Sequence, residues 1–277
     1  MASVDNVKHI ALDMDGTIYL GGALFPSTIP FLDTLDDLGI EFSFITNNNS
    51  RSRAAYASRL RSMGIHIAPK QVYTSAHATI HYLQETWPDV KRLFVVGTSD
   101  LKAEFTDAGF ACVDDEPEAV VVGFDTAIDY DRLSRTAYWI SQSLPYIATH
   151  PDRVCPTDQP IVLPDCGAFC ALLESATGRQ PDAIPGKPNA LMLQGVQQAG
   201  GLSPHEIAVV GDRLYTDVRM ARDAGALAVL TLTGETTEDD LSAEPPHRRP
   251  DLVITGLDSL AEQLQRSHAQ RKASKFV

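Results

Sequence analysis

Positive charge is scarce in this 277-residue chain: 23 Lys and Arg face 36 Asp and Glu, for a formal net charge of −13 at pH 7. A surface of that sign repels a phosphate backbone or an anionic bilayer, so neither a nucleic-acid polymer nor an acidic membrane surface is the expected partner. Long apolar runs are missing as well, none approaching the ~18 residues that a membrane helix requires. The opening Met1-Ala2-Ser3-Val4-Asp5-Asn6 carries neither the basic nor the apolar region of a signal peptide. The matching expectation is a cytoplasmic protein that meets no membrane. Cysteine is sparse too. Cys112, Cys155, Cys166 and Cys170 form neither a Cys-x-x-Cys pair nor a secreted disulfide framework, and they read as reduced core residues. Cys166 and Cys170 lack the second pair that a zinc site would use. Internal repeats and low-complexity segments are absent.

What is present is an ordinary globular composition, 44% hydrophobic with 18 Gly and 17 Pro, long enough for one large domain or two small ones. The chain is organised around His9-Ile10-Ala11-Leu12-Asp13-Met14-Asp15-Gly16-Thr17. The mostly apolar run Val7 to Leu12 reads as a buried strand that stops abruptly at two carboxylates, a glycine and a hydroxyl. Residues i and i+2 leave a strand on the same side, so Asp13 and Asp15 can address one ligand, while Gly16 lets the backbone turn away. Like charges this close repel unless a cation or a proton lies between them, which points to a divalent metal. The same residues would also suit a simple Asx-type turn.

Further along, Thr17 to Phe25 reads as a hairpin about Gly21-Gly22 that could serve as a small lid, followed by a helix capped by Ser27 and closed by Gly39. A strand at Ile40 to Ile45 ends in Thr46-Asn47-Asn48-Asn49-Ser50 before a helix from Arg51 to Met63. Strand-to-helix loops of this kind lie at the carboxyl edge of parallel sheets, where helix N-termini attract anions, so Thr46 and Asn47 are candidate phosphate donors or else helix caps. Strands at Val72 to Thr74, Leu93 to Val96, Ala119 to Phe124 and Tyr146 to Thr149 follow. They alternate with helices at Ala76 to Glu85, Leu101 to Ala108, Tyr130 to Ser143 and Ala168 to Thr177. This is a second α/β unit set inside the first, with borders near His77 and Ile184.

Beyond it, Pro185-Gly186-Lys187-Pro188-Asn189 places Lys187 in a stiff loop before a helix at Ala190 to Ala199, either as a phosphate-neutralising ammonium or as a solvated loop lysine. The strand Ile207 to Val210 then delivers Gly211-Asp212-Arg213-Leu214-Tyr215-Thr216-Asp217, repeating the pattern seen at Asp13. Asp212 would complete a metal site. Asp217 could hold Lys187 by a charge-assisted hydrogen bond or simply face the dipole of the next helix. The remaining strands fall at Ala226 to Leu232 and Leu252 to Ile254. Gln265 to Val277 shows no packing pattern and reads as a mobile tail.

Taken together, Asp13, Asp15, Thr46, Lys187, Asp212 and Asp217 follow the order and spacing of the four motifs of the haloacid dehalogenase superfamily, which the whole chain resembles. The insert, with Tyr73-Thr74-Ser75-Ala76, Ala148-Thr149-His150-Pro151-Asp152 and Cys166-Gly167-Ala168, is similar to that of the subclass IIA, NagD-like and 4-nitrophenylphosphatase-like branch. The resemblance implies an α/β fold: a Rossmann-like parallel-sheet core (1–76 and 185–277) with an inserted α/β cap (77–184) that governs specificity. It implies a phosphatase acting on small phosphate monoesters of the nucleotide monophosphate, sugar phosphate or 4-nitrophenyl phosphate type through an aspartyl phosphate. Asp13 would be the nucleophile and Asp15 the acid and base. Mg2+ would be held by Asp13, the Asp15 carbonyl and Asp212, and the phosphate by Thr46, Asn47 and Lys187, with Gly16 and Asp217 in support. Substrate binding to so acidic a chain should then depend strongly on Mg2+. His150, where relatives often have Asn, together with Asp152, Cys166 and Gly167, are the specificity candidates, although each also suits a packing role. Members of the branch often dimerise through the cap, which makes a homodimer the corresponding expectation. A phosphomutase or another phosphotransferase of the superfamily shares the same core. A receiver-type signalling module also accepts phosphate on Asp, but it is much shorter and has no inserted cap.

Overall fold

A computed structural model describes residues 3–155 and 161–274, and the chain divides into two units. The first comprises Met1–Ile45, Ala57–Val72 and Val196–Val277; the second comprises Thr46–Tyr56 and Tyr73–Gly195.

A six-stranded sheet organises the first unit, in the order Leu252–Ile254, Leu227–Thr231, Ile207–Gly211, His9–Leu12, Glu41–Thr46, Val72–Thr74. The strand His9–Leu12 is buried along its whole length, as are Ile207–Gly211 and Leu227–Thr231, which is why all three are apolar runs instead of alternating ones. His9–Leu12 pairs in parallel with both neighbours, Leu12 standing opposite Val210 on one side and Phe44 on the other. From this central strand the chain first builds outward through Glu41–Thr46, then returns to build the other half from Ile207–Gly211. That reversal makes the carboxyl ends of the two central strands a topological switch point, where open α/β sheets bind ligands.

The hairpin forms as expected, Tyr19–Leu20 pairing antiparallel with Ala23–Leu24. Gly39 closes the helix Thr28–Leu38 in the left-handed region at φ 67°, but Ser27 makes no side-chain cap. Thr28 instead donates its hydroxyl to the Ile18 carbonyl at 2.7 Å, tying the helix start to the hairpin. The expected mobile tail is corrected over most of its length: Leu257–Ser274 is one helix, and residues 275–277 lie outside the described residues. Leu257, Leu260 and Leu264 are buried, and beyond them Ser267 donates to Asp5 Oδ1 at 2.6 Å while Arg271 donates to the Asp5 carbonyl. The last turns are held by polar groups, so a hydrophobic period does not reveal them.

In the second unit a four-stranded parallel sheet runs Ala111–Cys112, Arg92–Val96, Ala119–Val122, Tyr146–Ala148. The strand Arg92–Val96 sends Leu93 and Val95 into one apolar layer with Leu83, Leu101 and Phe105, and Phe94 and Val96 into another with Ile140, Phe169 and Leu173. A sheet covered on both faces explains the valine run Val120-Val121-Val122. The short strand Ala111–Cys112 and the pair Val154–Cys155 with Leu163–Pro164 carry too little pattern to be read in advance. Sequence puts the borders of this unit near His77 and Ile184, whereas by packing the stretches 46–56 and 185–195 also associate with it. Asn49 ties in the first of these stretches, its Nδ2 donating to Ser75 Oγ at 3.0 Å and to Thr149 Oγ1 at 2.7 Å. No helix among the described residues is long and apolar enough to cross a membrane.

Candidate active site

In the first unit Asp13 continues the ladder of its strand, its N–H donating to the Val210 carbonyl at 2.8 Å, and Asp212 follows Gly211 at the end of the adjacent strand. Two neighbouring parallel strands of equal reach therefore put their exit acids side by side. Asp217 joins them from the π-helical turn Leu214–Val218, a geometry often found at functional sites. Carboxylate oxygens of Asp13, Asp212 and Asp217 lie within 4.8 Å of one another, and all three residues are buried.

Glycines create the space. A Cβ on Gly211 would lie 2.3 Å from Asp217 Cγ, and one on Gly16 or Gly234 would come within 2.4 Å or 2.0 Å of Asp212 Oδ2. Gly16 also has φ 82°, which strains any side-chain-bearing residue. The loop after Leu227–Thr231 completes the setting: Glu235 N–H donates to Asp212 Oδ2 at 2.7 Å, and the Thr233 hydroxyl donates to the Gly16 carbonyl at 2.6 Å. Sequence reasoning passed over Thr233, Gly234 and Glu235. Their signal was a Thr-Leu-Thr-Gly run at the exit of a third strand of the same sheet.

Two unit charges about 5 Å apart repel by roughly 3 kcal/mol at an effective dielectric constant near 20, so three buried carboxylates call for positive charge. Arg213 supplies some of it. Burial opposes its charge, but Tyr215, Glu235, Asp212 and Asp13 outweigh burial and hold the guanidinium protonated. Its Nε also pairs with Glu235 at 2.8 Å, so these groups of the unit keep a surplus of negative charge. Hard oxygen donors, closely backed by Gly16, Gly211 and Gly234, fit a small divalent cation such as Mg2+.

Asp15 contributes no side-chain oxygen to that cluster, its carboxylate accepting from the Tyr19 hydroxyl at 3.1 Å. Tyr19 is buried, with the Arg59 guanidinium 4.8 Å above its ring and Arg59 Nη2 donating to the Gly21 carbonyl at 2.8 Å. The hairpin thus holds the side chain of the second acid, a role for Tyr19 and Arg59 that motif spacing does not reveal. The Asp217 carboxylate also belongs to the metal-competent group.

In the second unit Thr46, Asn47 and Lys187 are all buried. Thr46 Oγ1 accepts from the Asn48 N–H at 3.1 Å. The Asn47 side chain grips the Lys187 backbone from both sides: Oδ1 accepts the Lys187 N–H at 2.8 Å and Nδ2 donates to the Lys187 carbonyl at 3.0 Å. Nδ2 also donates to Asp152 Oδ2 at 3.0 Å. That side-chain amide is accordingly committed to the protein, which leaves the Asn47 main-chain N–H as the candidate phosphate donor.

The specificity candidates take different places. His150 is fully buried, with Nδ1 3.5 Å from Asp152 Oδ2 and Nε2 3.5 Å from Asp165 Oδ1. Burial disfavours its charged form, but the flanking carboxylates outweigh burial and push its pKa up to about 9. Cys166 is likewise buried, its thiol donating to the Val122 carbonyl at 3.1 Å, and burial pushes that thiol well above its ordinary pKa. A Cβ on Gly167 would lie 2.1 Å from the Pro151 carbonyl oxygen, so this glycine serves close backbone packing. Asp152 alone of the four keeps partial exposure of its side chain.

Residues 10–111 match the family model of haloacid dehalogenase-like hydrolases, and residues 184–261 match a second, HAD-hydrolase-like model. The chain is 32% identical to the dihydroxyacetone phosphatase of Corynebacterium glutamicum over 93% of its own length and 91% of that protein. Its fold matches a 4-nitrophenylphosphatase from Thermotoga maritima with TM-score 0.89 and 38% identity, covering 94% of this chain and 98% of the other. A glycerol phosphate phosphatase from Mycobacterium tuberculosis, solved in complex with magnesium, matches with TM-score 0.86 and 30% identity, covering 94% and 79%.

Proposed function

Because this chain belongs to the haloacid dehalogenase-like hydrolase family, within its 4-nitrophenylphosphatase-like branch, we propose that this phosphoric monoester hydrolase cleaves small phosphorylated metabolites through a covalent aspartyl phosphate with Mg2+ as cofactor. The observation that carries the reading is the buried group of Asp13, Asp212 and Asp217 at the switch point of the sheet.

In this mechanism an Asp13 carboxylate oxygen attacks phosphorus and the bond to the leaving oxygen breaks, while Asp15 gives that oxygen its proton. Asp15, now a carboxylate, takes a proton from water as the water oxygen attacks the phosphoryl group, the bond to Asp13 breaks, and inorganic phosphate leaves. One hard displacement becomes two easier ones. The Tyr19 hydroxyl supports this double role by holding one Asp15 oxygen in place in either protonation state.

Asp13, the Asp15 carbonyl and Asp212 would hold Mg2+, with Asp217 beside them. When bound, the ion offsets the charge of the acids and of the ester dianion. Thr46, Asn47 and Lys187 are assigned to the equatorial phosphoryl oxygens, Asn47 through its main-chain N–H because its side chain is engaged elsewhere. Names of relatives that act on dihydroxyacetone phosphate and glycerol phosphate favour small polyol and sugar phosphates as the substrate class.

A panel of phosphate monoesters assayed for phosphate release with and without Mg2+ tests the reading. Steady turnover of three- to six-carbon sugar and polyol phosphates, absent without the metal, is the expected result. A single stoichiometric transfer of phosphate without release would instead identify a phosphate-accepting module.

A further inference from the structure

His150 takes no part in the chemistry above, yet few residues are set so deliberately. Its ring is fully buried between two carboxylates, Asp152 on the Nδ1 side and Asp165 on the Nε2 side, each at 3.5 Å. A buried ionic group costs too much to persist without opposite charge nearby, and an imidazolium here has an acid at ion-pair distance on each side, with neither ring nitrogen in hydrogen-bond geometry. Asp165 is itself anchored, since it caps the helix Cys166–Thr177 and its Oδ1 accepts from the Cys166 N–H at 2.6 Å. The other acid leads elsewhere.

Asp152 accepts one hydrogen from Asn47 Nδ2, and the rest of that amide is spent on Lys187. An amide offers two donor hydrogens and one acceptor oxygen. Here one hydrogen goes to Asp152, the other to the Lys187 carbonyl, and the oxygen takes the Lys187 N–H. Turning the amide over would break both bonds to Lys187 and set its oxygen against the Asp152 carboxylate. An ionised Asp152 therefore dictates the orientation in which Asn47 can hold Lys187. The Lys187 loop also rests on the backbone next to His150: Gly186 N–H donates to the Thr149 carbonyl at 2.9 Å, and a Cβ on Gly186 would lie 2.9 Å from His150 Cβ.

We propose that His150 is a positioning residue for Lys187: as a buried cation it pins Asp152, Asp152 orients the Asn47 amide, and that amide fixes the Lys187 backbone. The inference rests on the reading that Lys187 binds the phosphoryl group. In that arrangement His150 acts on affinity for phosphate without touching substrate. Among the described residues, the titratable groups facing it are Asp152, Asp165 and Cys166.

The test uses 4-nitrophenyl phosphate as substrate and inorganic phosphate as competitive inhibitor, with the variants H150Q, D152N, K187A and H150Q/K187A of the full chain. H150Q should raise KM and the phosphate inhibition constant about tenfold while kcat changes less than about threefold, since ground-state binding is what suffers. D152N, nearly the same shape, should show the same split. On a K187A background the His150 substitution should add nothing, because residues acting through one another are not additive. An alkaline rise in wild-type KM near pH 9 should vanish in H150Q.

Wild-type phosphate affinity in H150Q or D152N, or a full additional loss in the double variant, overturns the role of His150. Wild-type phosphate affinity in K187A overturns the phosphate reading of Lys187 and the inference with it. Should H150Q fail to fold, D152N alone decides by the same criterion.

Discussion

The backbone N–H of Glu235 donates to Asp212 Oδ2 at 2.7 Å, so a metal-competent acid at the end of one strand is oriented by the loop that leaves the next strand. Adjacent Gly234 makes that contact feasible, its missing Cβ being the atom that would otherwise sit 2.0 Å from the same oxygen.

Gly234→Ala should therefore displace the Asp212 carboxylate. The expected outcome is a loss of activity of about a hundredfold or more together with a rise in the Mg2+ concentration needed for half-maximal rate, since supporting groups typically tune metal affinity ten- to a hundredfold. Magnesium titrations of the rate for both proteins measure this, and an unchanged half-saturation point would sink it.

Metal removal should act on stability as well as on rate. EDTA should abolish turnover, and Mg2+ should raise the Tm of the wild type by relieving repulsion among Asp13, Asp212 and Asp217. Asp217→Asn should raise the Tm in EDTA and shrink the gain from Mg2+, with each removed charge contributing on the order of 1–3 kcal/mol. Thermal melts settle the matter: an Asp217→Asn protein less stable than wild type in EDTA would show that the three acids are not in strain there.

For the chemical step, Asp13→Asn should keep the fold and lose at least about a thousandfold in rate, because the attacking oxygen is gone. Tyr19→Phe removes the hydroxyl that accompanies Asp15. It should slow alkyl phosphates about three- to tenfold and 4-nitrophenyl phosphate less, as nitrophenolate leaves with little help from an acid. Equal losses on both esters would separate Tyr19 from the acid role.

His150 makes stability depend on pH. Its pKa stands at about 9 in the fold against an ordinary 6.5, raised by the flanking acids in spite of burial. A raised value means stabilisation that is complete below pH 6.5 and lost as the pH climbs through 9. The shift corresponds to something on the order of 3 kcal/mol. Melts of wild type and His150→Gln from pH 6 to pH 10 should converge as the pH rises, and a gap that stays constant would mean that the buried ring is neutral throughout.

Much of this protein could be read from local pattern. Apolar runs ending in acids or small polar groups mark the strands that exit at Asp13, Thr46 and Asp212, because a doubly covered parallel strand must be apolar along its length and its ligand-bearing groups must follow it. The same pattern found the helix bodies from Thr28–Leu38 to Leu191–Gly200 but missed the longest one, Leu257–Ser274. It misread Gln265 onward, where Ser267 and Arg271 bind Asp5 and no apolar residue signals the docking.

Residue types and their order determined the fold class and the identity of the acids, since both follow from what a strand interior and its carboxyl end tolerate. Only the tertiary structure decided that Asp217 joins Asp13 and Asp212, that the Asn47 side chain grips Lys187 across 140 positions of chain, and that His150 is buried between Asp152 and Asp165. Hydrogen bonds and ion pairs between distant segments leave no periodic trace in the chain, because their partners are selected by folding geometry rather than by neighbours in sequence.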